Sequence, residues 1–145
     1  MTDVPVGLSH TLTMVVDERV LVPAVFPDDP LLQAMPPVLA TAFLVGLLER
    51  ACIAALAPHL PVHLRTVGTH MDVSHAAATP AGLRVSAEVT LEAVDGRRLW
   101  FHVLARDAAG IIGEGRHQRA IVDPERFLAQ ARRRLGRQGQ ADAAP

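Results

Sequence analysis

The chain has few aromatic residues, one cysteine and almost no net charge, and each shortage excludes a class of protein. Aromatic residues make up 3% of the sequence although apolar residues make up 50%, so the core must consist of Val, Leu, Ala and Ile. The single cysteine, Cys52, excludes an internal disulfide and suits a reducing compartment. A formal net charge of −1 gives no general attraction to nucleic acid or to an acidic membrane surface. We therefore expect no nucleic-acid partner and no membrane partner.

Neither a leader peptide nor a transmembrane helix is predicted. The segment from Met1 to Pro5 lacks the charged-then-apolar pattern of a signal peptide, which favours a cytoplasmic location. The apolar run 38–57 is long enough to span a bilayer. However, Glu49 and Arg50 would both lie inside the hydrocarbon, where such charges cost roughly 2.5 to 3.5 kcal/mol each. A soluble protein is the expectation.

The apolar pattern predicts five strands and two helices. Residues 83–93 alternate apolar with polar side chains, which is the period of a strand with one buried face. Pro58 ends the apolar helix, while Asp123 and Pro124 are a typical N-cap and first residue of a second helix, expected to end near Leu135. The predicted strands are 10–17, 67–73, 83–93, 98–106 and 111–122, and the predicted apolar helix is 38–57.

These elements favour one fold. Several half-polar strands with a single apolar helix are best buried when a curved antiparallel sheet wraps that helix. This α+β arrangement is the hot-dog fold. Since a small sheet leaves an edge strand exposed, pairing with a second copy is expected. The chain has 145 residues, enough for one domain. We place that domain at 1–135, with a disordered tail rich in Gly, Gln and Ala at 136–145.

Prolines and glycines mark special positions along the chain. Five prolines interrupt residues 23–37 and exclude a long element there. Because this segment also carries apolar side chains, it is either a lid over an apolar cavity or a packed connection. Gly46, inside the apolar helix, is expected to allow close helix–sheet packing. Gly113 and Gly115, inside a strand, indicate a bulge or a close backbone approach.

Three side chains are candidates for chemistry. Glu49 lies deep in the apolar helix, where a carboxylate must be paired or desolvated, and such carboxylates are frequent in active sites. Thr41 lies two turns earlier, about 80° around the helix, so both side chains can face one cavity. His75 can carry a proton near neutral pH. Each residue also has a plain alternative: a solvent-facing Glu, a Thr bonded to its own backbone, and a core histidine.

Several segments together resemble the fluoroacetyl-CoA thioesterase-like family of hot-dog thioesterases, over nearly the whole chain from Gly7 to the last helix. The matching segments are 39–52, 67–69, 73–83, 94–99 and 112–120. The resemblance implies that Thr41, Glu49 and His75 form the active centre. It also implies that Gly68 supplies a backbone donor near the thioester carbonyl and that Arg119 lies close to the site.

The resemblance is incomplete at the segment that covers the acyl group. Founding members of the family carry aromatic side chains over the acyl pocket, whereas Leu32 and Met35 stand at those positions here. We therefore expect a general short- or medium-chain acyl thioester as substrate. Phe43 is placed with Leu32 and Met35 among the substrate-binding residues.

The sequence thus predicts an acyl-CoA thioesterase that works as a homodimer with active sites at the subunit interface. Glu49 would be the base or nucleophile, His75 the proton carrier and Thr41 a donor, and a Thr nucleophile is disfavoured because it would need its own adjacent base. The alternative is a hot-dog protein that binds acyl-CoA or an apolar carboxylic ligand without turning it over. A hydratase is disfavoured because no Asp and His pair lies within one short segment. No cofactor is expected, and no metal, since the histidines lack ligand spacing.

Overall fold

Five antiparallel strands form one sheet in the order β1-β3-β4-β5-β2. In this computed structural model, which describes residues 3–143, each predicted strand is present within about two residues of its predicted ends. The strands are β1 (Ser9–Val15), β2 (Arg65–Val73), β3 (Arg84–Asp95), β4 (Arg98–Asp107) and β5 (Gly110–Val122). The edges of the sheet are β1 and β2, so β2 offers an unpaired side to a further strand.

The alternation of residues 83–93 decides which face of the sheet is buried. Val85, Ala87, Val89 and Leu91 on β3 are at most 1% exposed, and they lie beside β4 residues such as Phe101, which is fully buried. The turn from β3 to β4 passes through Gly96, whose φ of 58° is left-handed, and the pair Asp95-Gly96 is a typical hairpin turn sequence. The inward residues form the face of the sheet that packs against the apolar helix.

The predicted apolar helix is present but covered on one side only. Before it, α1 (Pro30–Gln33) forms a short turn in the chain; the apolar helix itself is α2 (Thr41–Leu56) and ends in a 3-10 turn at Ala57–His59. Its buried side consists of Leu44, Leu47, Leu48, Ala51, Cys52, Ala55 and Leu56. The opposite side is open, and Ile53 there is 45% exposed. The predicted sheet wrapped on an apolar helix is confirmed, and in a single chain the sheet covers one face of that helix.

Helix α2 passes a simple test for a membrane span. With its 3-10 extension, Thr41–His59 is long and apolar enough to cross a bilayer, but the core helix of a soluble protein passes the same test. Here the apolar side of α2 lies against the sheet, in one hydrophobic cluster with β3 and β4. Its length and composition are explained by this packing.

The glycines divide into two groups. A Cβ at Gly113 would overlap the carbonyl oxygen of Ser74, and one at Gly115 would overlap that of Asp72, so the predicted close backbone approach is confirmed. Gly46 is different, since no described atom lies within 4 Å of the place its Cβ would take. The expectation that Gly46 allows close helix–sheet packing is wrong, because this residue lies on the open side of α2.

The proline-rich segment contains only short turns, as predicted. Two 3-10 turns at Glu18–Val20 and Val22–Ala24 precede α1, which begins at Pro30 with Asp29 as its cap. The segment keeps apolar side chains in solvent: Phe26 is 64% exposed and Leu31 is 75% exposed. Such a surface is what a lid would present before something covers it.

The last helix, α3 (Pro124–Ala143), begins where the sequence predicted and ends later. Asp123 caps it by accepting hydrogen bonds from the backbone N–H groups of Glu125 and Arg126 at 3.0 and 3.2 Å. The predicted end near Leu135 is wrong, and the predicted disordered tail is helical up to Ala143, because its Arg, Gln and Ala residues have high helix propensity. The domain limit at 135 stays a prediction, and residues 144–145 lie outside the described part of the chain.

Candidate active site

Thr41 and His75 lie in direct contact. Thr41 is the first residue of α2, and its Oγ1 is 2.7 Å from Nδ1 of His75. His75 follows β2 and is held by its neighbours, since the N–H groups of Ser74 and Ala76 donate to carbonyl oxygens of β5 at 3.0 and 2.7 Å. This hydrogen bond gives Thr41 an adjacent imidazole. A Thr nucleophile was disfavoured from the sequence because no such adjacent base was expected.

His75 has a free nitrogen on its other side. Its Nε2 atom is buried and has no hydrogen-bond partner among residues 3–143. Burial lowers the pKa of His75, against a smaller opposite effect from the backbone of Ala77, so the neutral ring is favoured near neutral pH. A neutral imidazole with one nitrogen hydrogen-bonded and the other without a partner is suited to accept and release a proton.

Glu49 belongs to a second group of side chains. Its Oε2 lies 3.8 Å from Nη1 of Arg119, and a Cβ on Gly68 would lie 2.8 Å from its Oε1. The Glu49 side chain is nevertheless 39% exposed. The sequence predicts that this carboxylate is paired or desolvated; in a single chain it is paired with Arg119 and remains partly in solvent. Because Gly68 has no side chain, the Glu49 carboxylate can occupy the space beside it.

Arg119 is the buried centre of this second group. Its side chain is 3% exposed, and it donates from Nε to Oγ1 of Thr66 at 2.8 Å and from Nη2 to the carbonyl oxygen of Thr66 at 2.9 Å. Its Nη1 lies 3.1 Å from Nε2 of His117. Burial lowers the pKa of Arg119, partly offset by the charge of Glu49, and the guanidinium stays charged.

His117 was not among the predicted site residues. It is 1% exposed, and it lies between Arg119 and the backbone of β2, where its Nδ1 is 2.8 Å from the carbonyl oxygen of His70. The available signal was its position: residues 117, 119 and 121 alternate toward the same face of β5, and the buried Ile121 places that face inward. Two polar residues at inward positions indicate a buried polar network.

A β-bulge shapes β2 next to these residues. Gly68 pairs with Arg119 and His70 pairs with Gln118, so Thr69 is the extra residue. The hydroxyl of Thr69 donates to Oε1 of Gln118 at 2.8 Å. Bulges of this kind occur beside active sites, where they redirect a side chain or a backbone group. This one lies where the sequence analysis placed a backbone donor.

The Thr41–His75 pair and the group around Glu49 lie at different positions along the axis of α2. Thr41 and Glu49 are eight residues apart, which is about 12 Å along the helix axis and about 80° around it. The structure therefore brings Thr41 to His75, and it brings Glu49 to Gly68 and Arg119. Within one chain it does not bring Glu49 to His75.

The remaining predicted residues lie around the start of α2. Leu32 is half-buried and Met35 is 45% exposed, both in or beside α1. Phe43 packs against the core of its own chain. A role for these three residues in substrate binding stays a prediction.

Comparison with known proteins places these features in a family. The family described as fluoroacetyl-CoA-specific thioesterase matches residues 9–125. The chain is 41% identical over 129 residues to the fluoroacetyl-CoA thioesterase of Streptantibioticus cattleyicolor, which covers 89% of this chain and 93% of that protein. A crystal structure of a fluoroacetyl-CoA thioesterase superposes with a TM-score of 0.87 at 40% identity, covering 90% of this chain and 97% of that one. A thioesterase superfamily member from Thermus thermophilus is 27% identical with a TM-score of 0.82, covering 97% and 99%.

Proposed function

The chain belongs to the family of fluoroacetyl-CoA-specific thioesterases and is a thioester hydrolase, and from this premise we propose that it hydrolyses a short- or medium-chain acyl-CoA at a site shared by two subunits. The observation that carries the proposal is the arrangement along α2. Thr41 and its hydrogen-bonded partner His75 lie at the start of α2, and Glu49, held beside Gly68, lies eight residues further along the same helix.

The distance along α2 between the Thr41–His75 pair and Glu49 is the reason for proposing a shared site. A reacting carbonyl must lie within about 3 to 3.5 Å of the groups that act on it, and the separation of about 12 Å along α2 is too long for that. A two-fold axis crossing α2 near Val45 would place Thr41 of one subunit opposite Glu49 of the partner subunit, and the reverse, because such interfaces are self-complementary.

The surface of a single chain suits this dimer. Val45 is half-buried and Gly46 has open space above its Cα, so a second helix can approach α2 closely. The unpaired edge of β2 offers the backbone groups of a further strand. Apolar side chains left in solvent, Met35 and Ile53 among them, would be covered on association.

Each group then has a chemical task. Glu49 either attacks the thioester carbon, giving an acyl anhydride that water then hydrolyses, or removes a proton from the attacking water. The hydroxyl of Thr41 and the backbone N–H of Gly68 donate to the oxyanion that develops, a contribution of about 3 kcal/mol for one good donor. The C–S bond then breaks, and the leaving thiolate takes a proton from Nε2 of His75. Because Nδ1–H of His75 donates to the Thr41 hydroxyl while that hydroxyl donates to the oxyanion, Nε2 must first accept this proton from water. The products are a carboxylic acid and the thiol of coenzyme A.

The acyl group is expected to be small and not necessarily fluorinated. Leu32 and Met35 lie in or just after α1, where their flexible side chains can adapt to several chain lengths. An aromatic lid would hold a more rigid shape. We therefore propose a broader range of acyl groups than the name of the family describes.

A hydrolysis assay tests the proposal. Acetyl-, fluoroacetyl-, butyryl- and octanoyl-CoA are supplied, and free thiol is measured for the native protein, Glu49→Gln and His75→Ala. The matched control is Glu92→Gln, since Glu92 pairs with Arg116 at exposed positions of the sheet. Turnover is expected for the native protein and the control, with losses of about 10² to 10⁴-fold in the two site variants. Unchanged turnover in both site variants would refute the site. Tight binding of every acyl-CoA without turnover would favour the binding protein instead.

A further inference from the structure

The contacts of His117 determine which of its nitrogens carries the proton. The carbonyl oxygen of His70 can only accept, so Nδ1 of His117, 2.8 Å away, must be the donor. The guanidinium of Arg119 can only donate, so Nε2, 3.1 Å from Nη1, must be the acceptor. Both conditions hold together only for a neutral ring with its proton on Nδ1.

The same contacts fix the orientation of Arg119. Thr66 accepts two hydrogen bonds, one from Nε and one from Nη2, while His117 accepts one from Nη1. A planar guanidinium held at three of its nitrogens cannot rotate without losing buried hydrogen bonds. The Nη1 that His117 holds is also the nitrogen that faces Glu49 at 3.8 Å.

From this chain of contacts, and resting on the proposed function, we propose that His117 is a positioning residue of the thioesterase site. It acts through Arg119, which it aims at the carboxylate of Glu49, and it does not touch the substrate. Its Cε1 would lie 3.2 Å from a Cβ on Gly68, so the ring also borders the space in which that carboxylate lies.

The charges around His117 require it to stay neutral. Arg119 faces it from β5, Glu49 from α2, and His70 from β2. Burial raises the pKa of the Cys52 thiol to about 12, so the thiol adds no charge. A proton on Nε2 would replace the acceptor for Arg119 by a second cation. Burial, followed by the repulsion from Arg119, keeps the pKa of His117 below its ordinary value of 6.5 although the His70 carbonyl and Glu49 act in the opposite direction.

Two substitutions separate positioning from packing. His117→Gln keeps an acceptor for Arg119 and a donor for the His70 carbonyl, whereas His117→Phe fills the same space without either. We expect His117→Phe to lower kcat by about 10²-fold with little change in KM, because displacement by about 1 Å costs this much, and His117→Gln to recover most of it. Thr66→Val removes a different hydrogen bond of Arg119 and should lower kcat in the same direction. The control is His102→Phe, on the outer face of β4, where His102 contacts Glu114.

A measurement without substrate completes the test. In protein labelled with ¹⁵N-histidine, the ring nitrogens of His117, assigned by comparison with His117→Gln, should report a proton on Nδ1 at neutral pH. A proton on Nε2, or a folded His117→Phe enzyme with the kcat of the native protein, would overturn the inference. If His117→Phe does not fold, Thr66→Val and the ring-nitrogen spectrum decide the question. A native protein that hydrolyses no thioester would refute the proposed function, while the spectrum would still decide whether His117 holds Arg119 as described.

Discussion

Replacing Gly68 by alanine inserts one methyl group between β2 and the carboxylate of Glu49. The new carbon would lie 2.8 Å from Oε1, whereas ordinary van der Waals contact begins at 3.4 Å, so the oxygen must withdraw by about 0.6 Å. The backbone N–H of residue 68 is kept, and therefore the variant changes the position of the carboxylate without removing the proposed oxyanion donor. Since a misplacement of about 1 Å costs about 10²-fold, we expect kcat to fall about ten- to thirtyfold.

The stability of the fold should change little or even rise. The atom that must move most is the end of a flexible side chain, while Cε1 of His117, at 3.2 Å, must give by only about 0.2 Å; Gly68 has no left-handed φ. Alanine at such a position raises the free energy of unfolding by about 0.4 to 1 kcal/mol, because it reduces the conformational entropy of the unfolded chain. Thiol release and urea unfolding are measured for Gly68→Ala and for Gly136→Ala, an exposed control in α3. Native kcat in Gly68→Ala would refute the position of Glu49, and loss of folding would refute the reasoning on space.

Three further outcomes are expected. Gly115→Ala, whose Cβ would overlap the Asp72 carbonyl and lie 2.7 Å from the Cα of Val73, should lower the free energy of unfolding by about 1 to 3 kcal/mol in urea; native stability would contradict the close approach. Gly46→Arg fits the open side of α2, so it should give a folded monomer without activity in light scattering and thiol release, whereas an active dimer would exclude pairing through α2. Because burial lowers the pKa values of His75 and His117, the unfolded chain takes up protons first below about pH 6.5, and Tm should fall between about pH 7 and pH 5. Tm should fall less over this pH range in His117→Gln than in the native protein. A Tm that rises on acidification would contradict the lowered pKa values of the two histidines.

The sequence predicted the sheet well because local patterns determine its strands. Alternation along 83–93 and the Asp95-Gly96 turn are readable without knowledge of the partner strands, and both are present in the structure. The helix end at Leu135 was wrong for a related reason. Composition alone suggested disorder after Gly136, whereas the intervening Arg, Gln and Ala residues continue the helix to Ala143.

The site was harder to predict because it depends on contacts between distant segments. Thr41 and His75 are joined across 34 positions, and only the likeness to a family brought them together in advance. Burial of Glu49 was overestimated because an apolar helix does not reveal which of its faces its own sheet covers. His117 was missed since its partners, His70 and Arg119, become visible only once β5 lies beside β2.

Mixing two inactive variants tests the shared site most directly. Glu49→Gln keeps Thr41 and His75, while His75→Ala keeps Glu49, so a dimer with one chain of each has one complete site and one site lacking both groups. After unfolding and refolding together in equal amounts, the mixture should recover about a quarter of native thiol release, because about half of the dimers are mixed and each has one working site. Activity no higher than that of the separate variants would contradict an active centre assembled from two subunits.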